Sequence, residues 1–193
     1  MKLTVDDIAD QRAYERERDA FRAHIIELKK LRRIGVGPFV TLVFENRDTI
    51  RFQVQEMARA EHIDTDEGIA AELDVYNPLI PLPGSLAATL FIELTTKDEL
   101  MTWLPKLVGI ERAVELRAGG AVIPCRPDPD HEKQLTREEI TASVHYVHFD
   151  LTPAQVAAVE AGPVALAITL DSYAHAANLD EATIAELLTD LKG

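Results

Sequence analysis

The chain contains little cysteine and no long apolar run. Cys125 is the single cysteine among 193 residues, which excludes an internal disulfide and any zinc or iron–sulfur site built from several cysteines of this chain. No apolar run approaches the roughly 20 residues needed to span a bilayer, and no charged-then-apolar leader opens the sequence. We therefore expect a cytoplasmic protein that has no membrane segment.

Common catalytic and nucleotide-binding motifs are also missing. The sequence contains no G-x-G-x-x-G, no G-x-x-x-x-G-K-[ST], no H-E-x-x-H and no G-x-S-x-G. Dinucleotide-binding enzymes, P-loop enzymes, zinc proteases and serine hydrolases are therefore disfavoured. Whether the protein is an enzyme of another kind stays open, and we expect no cofactor.

Positive charge is scarce outside the first part of the chain. The net charge of −13 is made up of +2 over residues 1–33, −6 over residues 34–127 and −9 over residues 128–193. A nucleic-acid-binding protein needs a basic surface that displaces counterions from phosphates, and only the basic run at residues 29–33 could supply one. That run ends a predicted helix, where the helix dipole favours cations. We predict no nucleic-acid partner.

The remaining composition is typical of a globular protein, with 47% hydrophobic and 27% charged residues. Periodicity predicts a long helix over residues 12–33, strands over 86–94, 144–151 and 164–170, a hairpin over 113–125 and a helix over 180–191. This order indicates an α+β protein, with a largely antiparallel sheet, a long N-terminal helix and a C-terminal helix. We predict a single domain over residues 1–193, or two packed halves with a boundary near 127–133.

Residues 39–61 predict a hairpin followed by a short helix. Apolar and polar residues alternate on both sides of Asn46, so Phe44 and Phe52 would face the core. The opposite face, the following helix and the next strand would form one polar row, consisting of Glu45, Arg51, Gln53, Gln55, Glu56, Arg59, Glu61 and Glu93. Two interpretations stay open for this polar row: the solvated face of an antiparallel sheet, or a binding site for a polar ligand or a partner.

Arg51 is the strongest binding candidate in the polar row. Its planar guanidinium suits a carboxylate or a phosphate, and Gln53 and Gln55 could add directional hydrogen bonds. The alternative for Arg51 is a salt bridge to Glu45 across the hairpin. The candidate binding residues are Arg51, Gln53, Gln55, Glu56, Arg59 and Glu93.

The histidines offer a weaker alternative, a small enzyme or metal-binding protein. His145 and His148 are three residues apart on a predicted strand, so their side chains would point to opposite faces. A metal site would need one of them together with distant carboxylates such as Glu56, Glu61 or Glu93, a set compatible with iron or manganese. A third possibility is a structural subunit that pairs through the apolar stripe of the first helix.

Several long blocks resemble one bacterial family. The segments ENRDTIRFQVQEMARAE (45–61), YNPLIP (76–81), ATLFIEL (88–94) and WLPKLVGIERAVEL (103–116) are similar to the uncharacterised family called domain of unknown function 3501. The resemblance implies no catalytic residues. It implies a protein partner, because such genes often lie beside those of rubrerythrin-like diiron proteins and iron–sulfur oxidoreductases. Our leading prediction is an accessory or binding protein that works with such a redox system.

Overall fold

The computed structural model describes residues 1–129 and 140–193. Six α-helices have both ends in these ranges: α1 (Gln11–Arg32), α2 (Arg47–Glu61), α3 (Asp66–Tyr76), α4 (Lys97–Trp103), α5 (Pro153–Ala161) and α6 (Glu181–Lys192). Nine strands accompany them: β1 (Arg33–Gly35), β2 (Val40–Glu45), β3 (Ser85–Ile92), β4 (Val114–Ala118), β5 (Ala121–Pro124), β6 (Arg126–Pro127), β7 (Val144–Asp150), β8 (Val164–Leu170) and β9 (Tyr173–Asn178). None of the described helices is long and apolar enough to cross a bilayer.

The strands form two antiparallel sheets. The first has the order β1-β2-β3-β7-β6 and the second the order β5-β4-β8-β9. Every pair of neighbouring strands in both sheets is antiparallel. The predicted α+β class, with its long N-terminal helix and its C-terminal helix, is therefore confirmed.

One hydrophobic cluster draws on both sheets. It includes Leu42, Phe44 and Leu90 from the first sheet and Leu116 and Leu166 from the second. Of the predicted boundary at 127–133, residues 130–139 lie outside the described part of the chain. The choice between one domain and two packed halves stays a prediction.

The opposite face of the five-stranded sheet is also covered. A second apolar cluster, which includes Ile50, Val54, Leu73 and Leu79, packs with Tyr146 of β7. All six residues of β2 are consequently buried. Coverage on both faces leaves β2 without the exposed side that an antiparallel sheet usually keeps.

The predicted hairpin over residues 39–55 is wrong in its second half, because residues 47–61 form α2. Asn46 caps this helix: its Oδ1 accepts from the Thr49 N–H at 3.0 Å, and Thr49 Oγ1 accepts from the Asn46 N–H at 2.9 Å. This reciprocal pair starts a helix, and Ile50, Val54 and Ala58 then recur at helical spacing on its buried side. β3 takes the position beside β2 that the hairpin would have filled.

Candidate functional site

Five of the six candidate binding residues lie on α2, whereas Glu93 follows β3. Side chains four residues apart share a helix face, so Arg51, Gln55 and Arg59 lie on one side. Gln53 is two residues from both Arg51 and Gln55 and therefore projects elsewhere. The polar row of the sequence is not one surface in the structure.

Arg51, Gln55 and Arg59 hold the N-terminal part of the chain against α2. Arg51 Nε donates to the Asp7 carbonyl at 2.9 Å, and its Nη2 donates to Glu17 at 2.8 Å. Gln55 accepts from the N–H of Ala9 at 2.7 Å and donates to the carbonyl of the same residue at 3.2 Å. Arg59 donates to Glu15 at 2.5 Å.

The predicted alternative for Arg51, an ion pair with Glu45, is wrong. The carboxylate partner of Arg51 is Glu17 of α1, and the guanidinium carbon lies 4.8 Å from the Phe21 ring centre. Glu45 instead accepts from the Thr89 hydroxyl at 2.6 Å. Partner binding by this face of α2 stays a prediction.

Glu56 joins α2 to α1 most tightly. Its carboxylate accepts from the Tyr14 hydroxyl at 2.6 Å and from two nitrogens of Arg18, each at 2.8 Å. The hydrogen bonds from Arg18 are the largest cause that lowers the pKa of Glu56, from 4.5 to about 2, and the Tyr14 hydroxyl lowers this pKa further. Burial in turn raises the pKa of Tyr14.

We expect Glu56→Gln to lower the free energy of unfolding by about 2 kcal/mol near neutral pH, because a charged acceptor is lost. The pKa of Glu56 is lower in the folded state, so the carboxylate stabilises the protein fully above pH 4.5. This contribution disappears as the pH falls through the folded value of about 2. Urea unfolding of wild type and variant across that range should show the difference shrinking. The control Glu27→Gln removes an exposed pair with Lys30 and should stay within about 0.5 kcal/mol of wild type. A Glu56→Gln difference that is independent of pH would contradict this role.

Glu93 is held at the edge of the five-stranded sheet. It pairs with Arg33 and accepts from the Thr41 hydroxyl at 2.7 Å. Thr41 is the strand partner of Phe91, so Glu93 lies beyond Phe91 on the sheet face that α2 covers.

Gln53 lines a cavity of about 230 Å³, which lies between α2 and the face of the five-stranded sheet that α2 covers. Its walls are partly apolar, formed by Ile50, Leu79, Phe91 and Val144. Six polar side chains, each from a different helix or strand, also line it: Lys29, Glu45, Gln53, Tyr76, Thr89 and Tyr146. A concave, partly apolar space with a few convergent polar groups is the usual form of a small-molecule site.

The carboxylate of Glu45 is the deepest charge in the cavity wall. Glu45 is 8% exposed, and Thr89, which donates to it, is 5% exposed. The buried Arg32 donates to the backbone carbonyl of Glu45 at 3.4 Å. Among the residues that the structure describes, Glu45 forms no ion pair. Lys29 is half-buried at the last turn of α1.

Two tyrosines of the cavity remain protonated over the physiological range. Burial is the main cause that raises the pKa of Tyr146 to about 12, and nearby Tyr76 and Glu45 raise it further. Burial also raises the pKa of Tyr76, and this effect is larger than that of a hydrogen bond with Gln53, which lowers the same pKa. Both tyrosines therefore keep their hydroxyl protons over this range.

Sequence reasoning placed Gln53 in the candidate site and Glu45 in the polar row, but it missed Lys29, Tyr76, Thr89 and Tyr146. Thr89 and Tyr146 are directly paired across β3 and β7. Polar residues at matching positions of two otherwise apolar strands were the available signal. Recognising it requires knowing which strands are neighbours.

The two candidate histidines lie apart from this cavity. The His145 Nε2 is 2.8 Å from the Thr141 hydroxyl and 3.0 Å from the Ala142 carbonyl, whereas the His148 Nε2 is 3.4 Å from Asp128. Burial lowers the pKa of both histidines. Within residues 1–129 and 140–193, no group of three or more His, Cys, Asp or Glu side chains could hold a metal ion. The described structure does not bring either histidine together with Glu56, Glu61 and Glu93.

Comparison with known proteins identifies the family. A family model described as "Protein of unknown function (DUF3501)" matches residues 2–191. A solved structure described as a novel protein of unknown function from Burkholderia pseudomallei K96243 is 37% identical, covers 100% of both chains and has a TM-score of 0.91. No curated protein is significantly similar to the chain. The match over almost the whole sequence agrees with the blocks at 45–61, 76–81, 88–94 and 103–116, and the chain therefore belongs to the family called domain of unknown function 3501.

Proposed function

We propose that this protein binds a small polar molecule in the cavity between α2 and the five-stranded sheet. The observation that carries the proposal is the Glu45 carboxylate, which is 8% exposed and has no ion-pair partner among the described residues. Burying a carboxylate is costly unless its charge is compensated. The Thr89 hydroxyl supplies one hydrogen bond, and a bound molecule with a donor group would supply further compensation.

The chemistry of the cavity favours recognition over catalysis. Its polar groups are a carboxylate, an amide, an ammonium, a threonine hydroxyl and two protonated tyrosines. The single cysteine lies outside it, and burial is the main cause that raises the pKa of the Cys125 thiol to about 11, which makes it a poor nucleophile at neutral pH.

An accessory role beside a rubrerythrin-like or iron–sulfur protein remains a prediction, supported by the family resemblance alone. The cytoplasmic location is likewise a prediction. Ligand binding and an accessory role are compatible, because occupancy of the cavity would make contact with a partner protein depend on the ligand concentration.

A cavity-filling variant tests the proposal. Val144 is half-buried in the cavity wall, and Val144→Phe should place a ring in the space that a ligand would use. Saturation-transfer NMR with the small-molecule fraction of a bacterial extract should show bound species with wild type and lose them with Val144→Phe.

The matched control is Val122→Phe, the same change at a position that is 52% exposed and lies outside the cavity. This control should retain the signals of wild type. Equal signals from all three proteins, or no bound species with wild type, would contradict binding in the cavity. Melting curves of both variants would verify that each is folded.

A further inference from the structure

We propose that the ligand is a small zwitterion of the α-amino acid class, with its ammonium group against Glu45 and its carboxylate against Lys29. This inference rests on the proposed function, because it assigns a ligand class to the same cavity. The observation behind it is that Glu45 and Lys29 carry opposite charges and line the same cavity without forming an ion pair with each other.

Glu45 and Lys29 both line the cavity, yet they form no ion pair with each other. Neither side chain has another ion-pair partner among the residues described. Neighbouring charges behave differently, since Lys30 pairs with Glu27, Arg32 with Glu186 and Arg33 with Glu93. Glu45 and Lys29 differ from these three paired neighbours, because their side chains line the cavity.

A ligand with a single charge would form an ion pair with only one of the two residues, Glu45 or Lys29. An amine would pair with Glu45 and displace water from Lys29 without compensation, and a simple carboxylic acid would do the reverse. Leaving a charge desolvated and unpaired is costly. A zwitterion pairs with both ends, and hydrogen bonds between charged groups are the strong ones.

The difference in burial between Glu45 and Lys29 determines the orientation of the zwitterion. Glu45 is almost fully buried and is fixed by Thr89, whereas Lys29 is only half-buried at the end of α1. The ammonium group therefore lies at the inner end and the carboxylate nearer to solvent. The adjoining hydroxyl group of Tyr76 can donate to an anionic or carbonyl oxygen.

The size and walls of the cavity favour an amino acid with an apolar side chain. The volume of about 230 Å³ is smaller than the roughly 300–1,000 Å³ of sites that hold drug-sized ligands. Phe91, Tyr76 and Tyr146 contribute aromatic rings to the walls, which can pack against an apolar side chain and stabilise a neighbouring ammonium group.

The test is a binding titration with a panel of the twenty L-amino acids, followed for the best binder by its two single-charge analogues. For L-phenylalanine these analogues are 2-phenylethylamine, which lacks the carboxylate, and 3-phenylpropanoate, which lacks the amine. We expect at least one amino acid to bind, and each analogue to bind at least about tenfold more weakly, the effect of losing one charged hydrogen bond.

Two charge-removing variants complete the test. Glu45→Gln retains an oxygen that can accept from Thr89, and Lys29→Gln lies near solvent; each should weaken amino-acid binding at least about tenfold. The control Lys30→Gln removes the adjacent exposed lysine and should bind as wild type does. Should Glu45→Gln fail to fold, Lys29→Gln still decides the matter.

The outcomes separate this inference from the proposed function. If extract molecules bind wild type and are lost with Val144→Phe while no amino acid binds, the zwitterion is wrong and cavity binding stands. Amino-acid binding that is unchanged in Lys29→Gln would also overturn the inference. If no small molecule of any class binds, both proposals fail.

Discussion

Arg32→Met should lower the free energy of unfolding by about 3–5 kcal/mol, the cost expected when one member of a buried ion cluster is removed. Arg32 is 0% exposed. Its guanidinium donates to Glu186 at 2.9 and 2.7 Å and to Asp190 at 2.7 Å, which ties the end of α1 to α6. Without it, two acidic side chains would lie close together with little access to solvent.

The control is Arg33→Met, the same change one residue later. Arg33 is exposed and pairs with Glu93, which is itself about half exposed, so its loss should cost less than about 1 kcal/mol. Urea unfolding of both variants measures the difference. Equal losses would mean that Arg32 is not the buried link between α1 and α6.

Phe44→Ala should lower the free energy of unfolding by about 3–5 kcal/mol, because the variant leaves a cavity in the core. Phe44 is 0% exposed, and its ring centre lies 6.0 Å from that of Phe149 on β7. It packs on the face of the five-stranded sheet that contributes to the cluster shared with the second sheet.

Phe52→Ala provides the comparison. Phe52 is half-buried on α2, where its ring lies edge-on to Phe21 at 5.6 Å. Truncation should cost about 1–2 kcal/mol, since less apolar surface returns to water. The hairpin predicted from sequence would bury both phenylalanines on one face and make the two losses equal. Equal losses by chemical denaturation would therefore support the hairpin and contradict α2.

Elements with strong local signals could be predicted from the sequence. The Thr96–Glu99 capping box starts α4, and the Thr152–Pro153 pair starts α5, as their spacing indicates. The Gly119–Gly120 turn joins β4 to β5. Each of these features depends on contacts between residues a few positions apart, which the sequence displays directly.

Elements defined by distant contacts could not be predicted in this way. β9 has the sequence YAHAAN, which contains few β-branched or aromatic residues, and it becomes a strand by pairing with β8. Around Phe52 the alternation of a strand and the spacing of a helix fit the same apolar residues. The Asn46–Thr49 cap and the pairing of β3 with β2 decide for the helix.

The candidate site shows the same limit. The sequence indicates Arg51 and Glu56 as binding residues because both are charged. In the structure, however, both are held by contacts with the N-terminal part of the chain. The cavity instead combines Glu45 with Thr89 and Tyr146, which come from three strands. Only the order β2-β3-β7 brings these three side chains to one place.

Methyl NMR on protein labelled at isoleucine, leucine and valine tests the cavity most directly. The cavity wall contains Ile50, Leu79 and Val144, whereas Leu42 and Leu90 belong to the core shared by the two sheets. Addition of the small-molecule fraction that binds in saturation transfer should shift the methyl resonances of the first three residues and leave those of Leu42 and Leu90 in place. Shifts confined to other surfaces, with Ile50, Leu79 and Val144 unchanged, would show that the cavity is not the binding site.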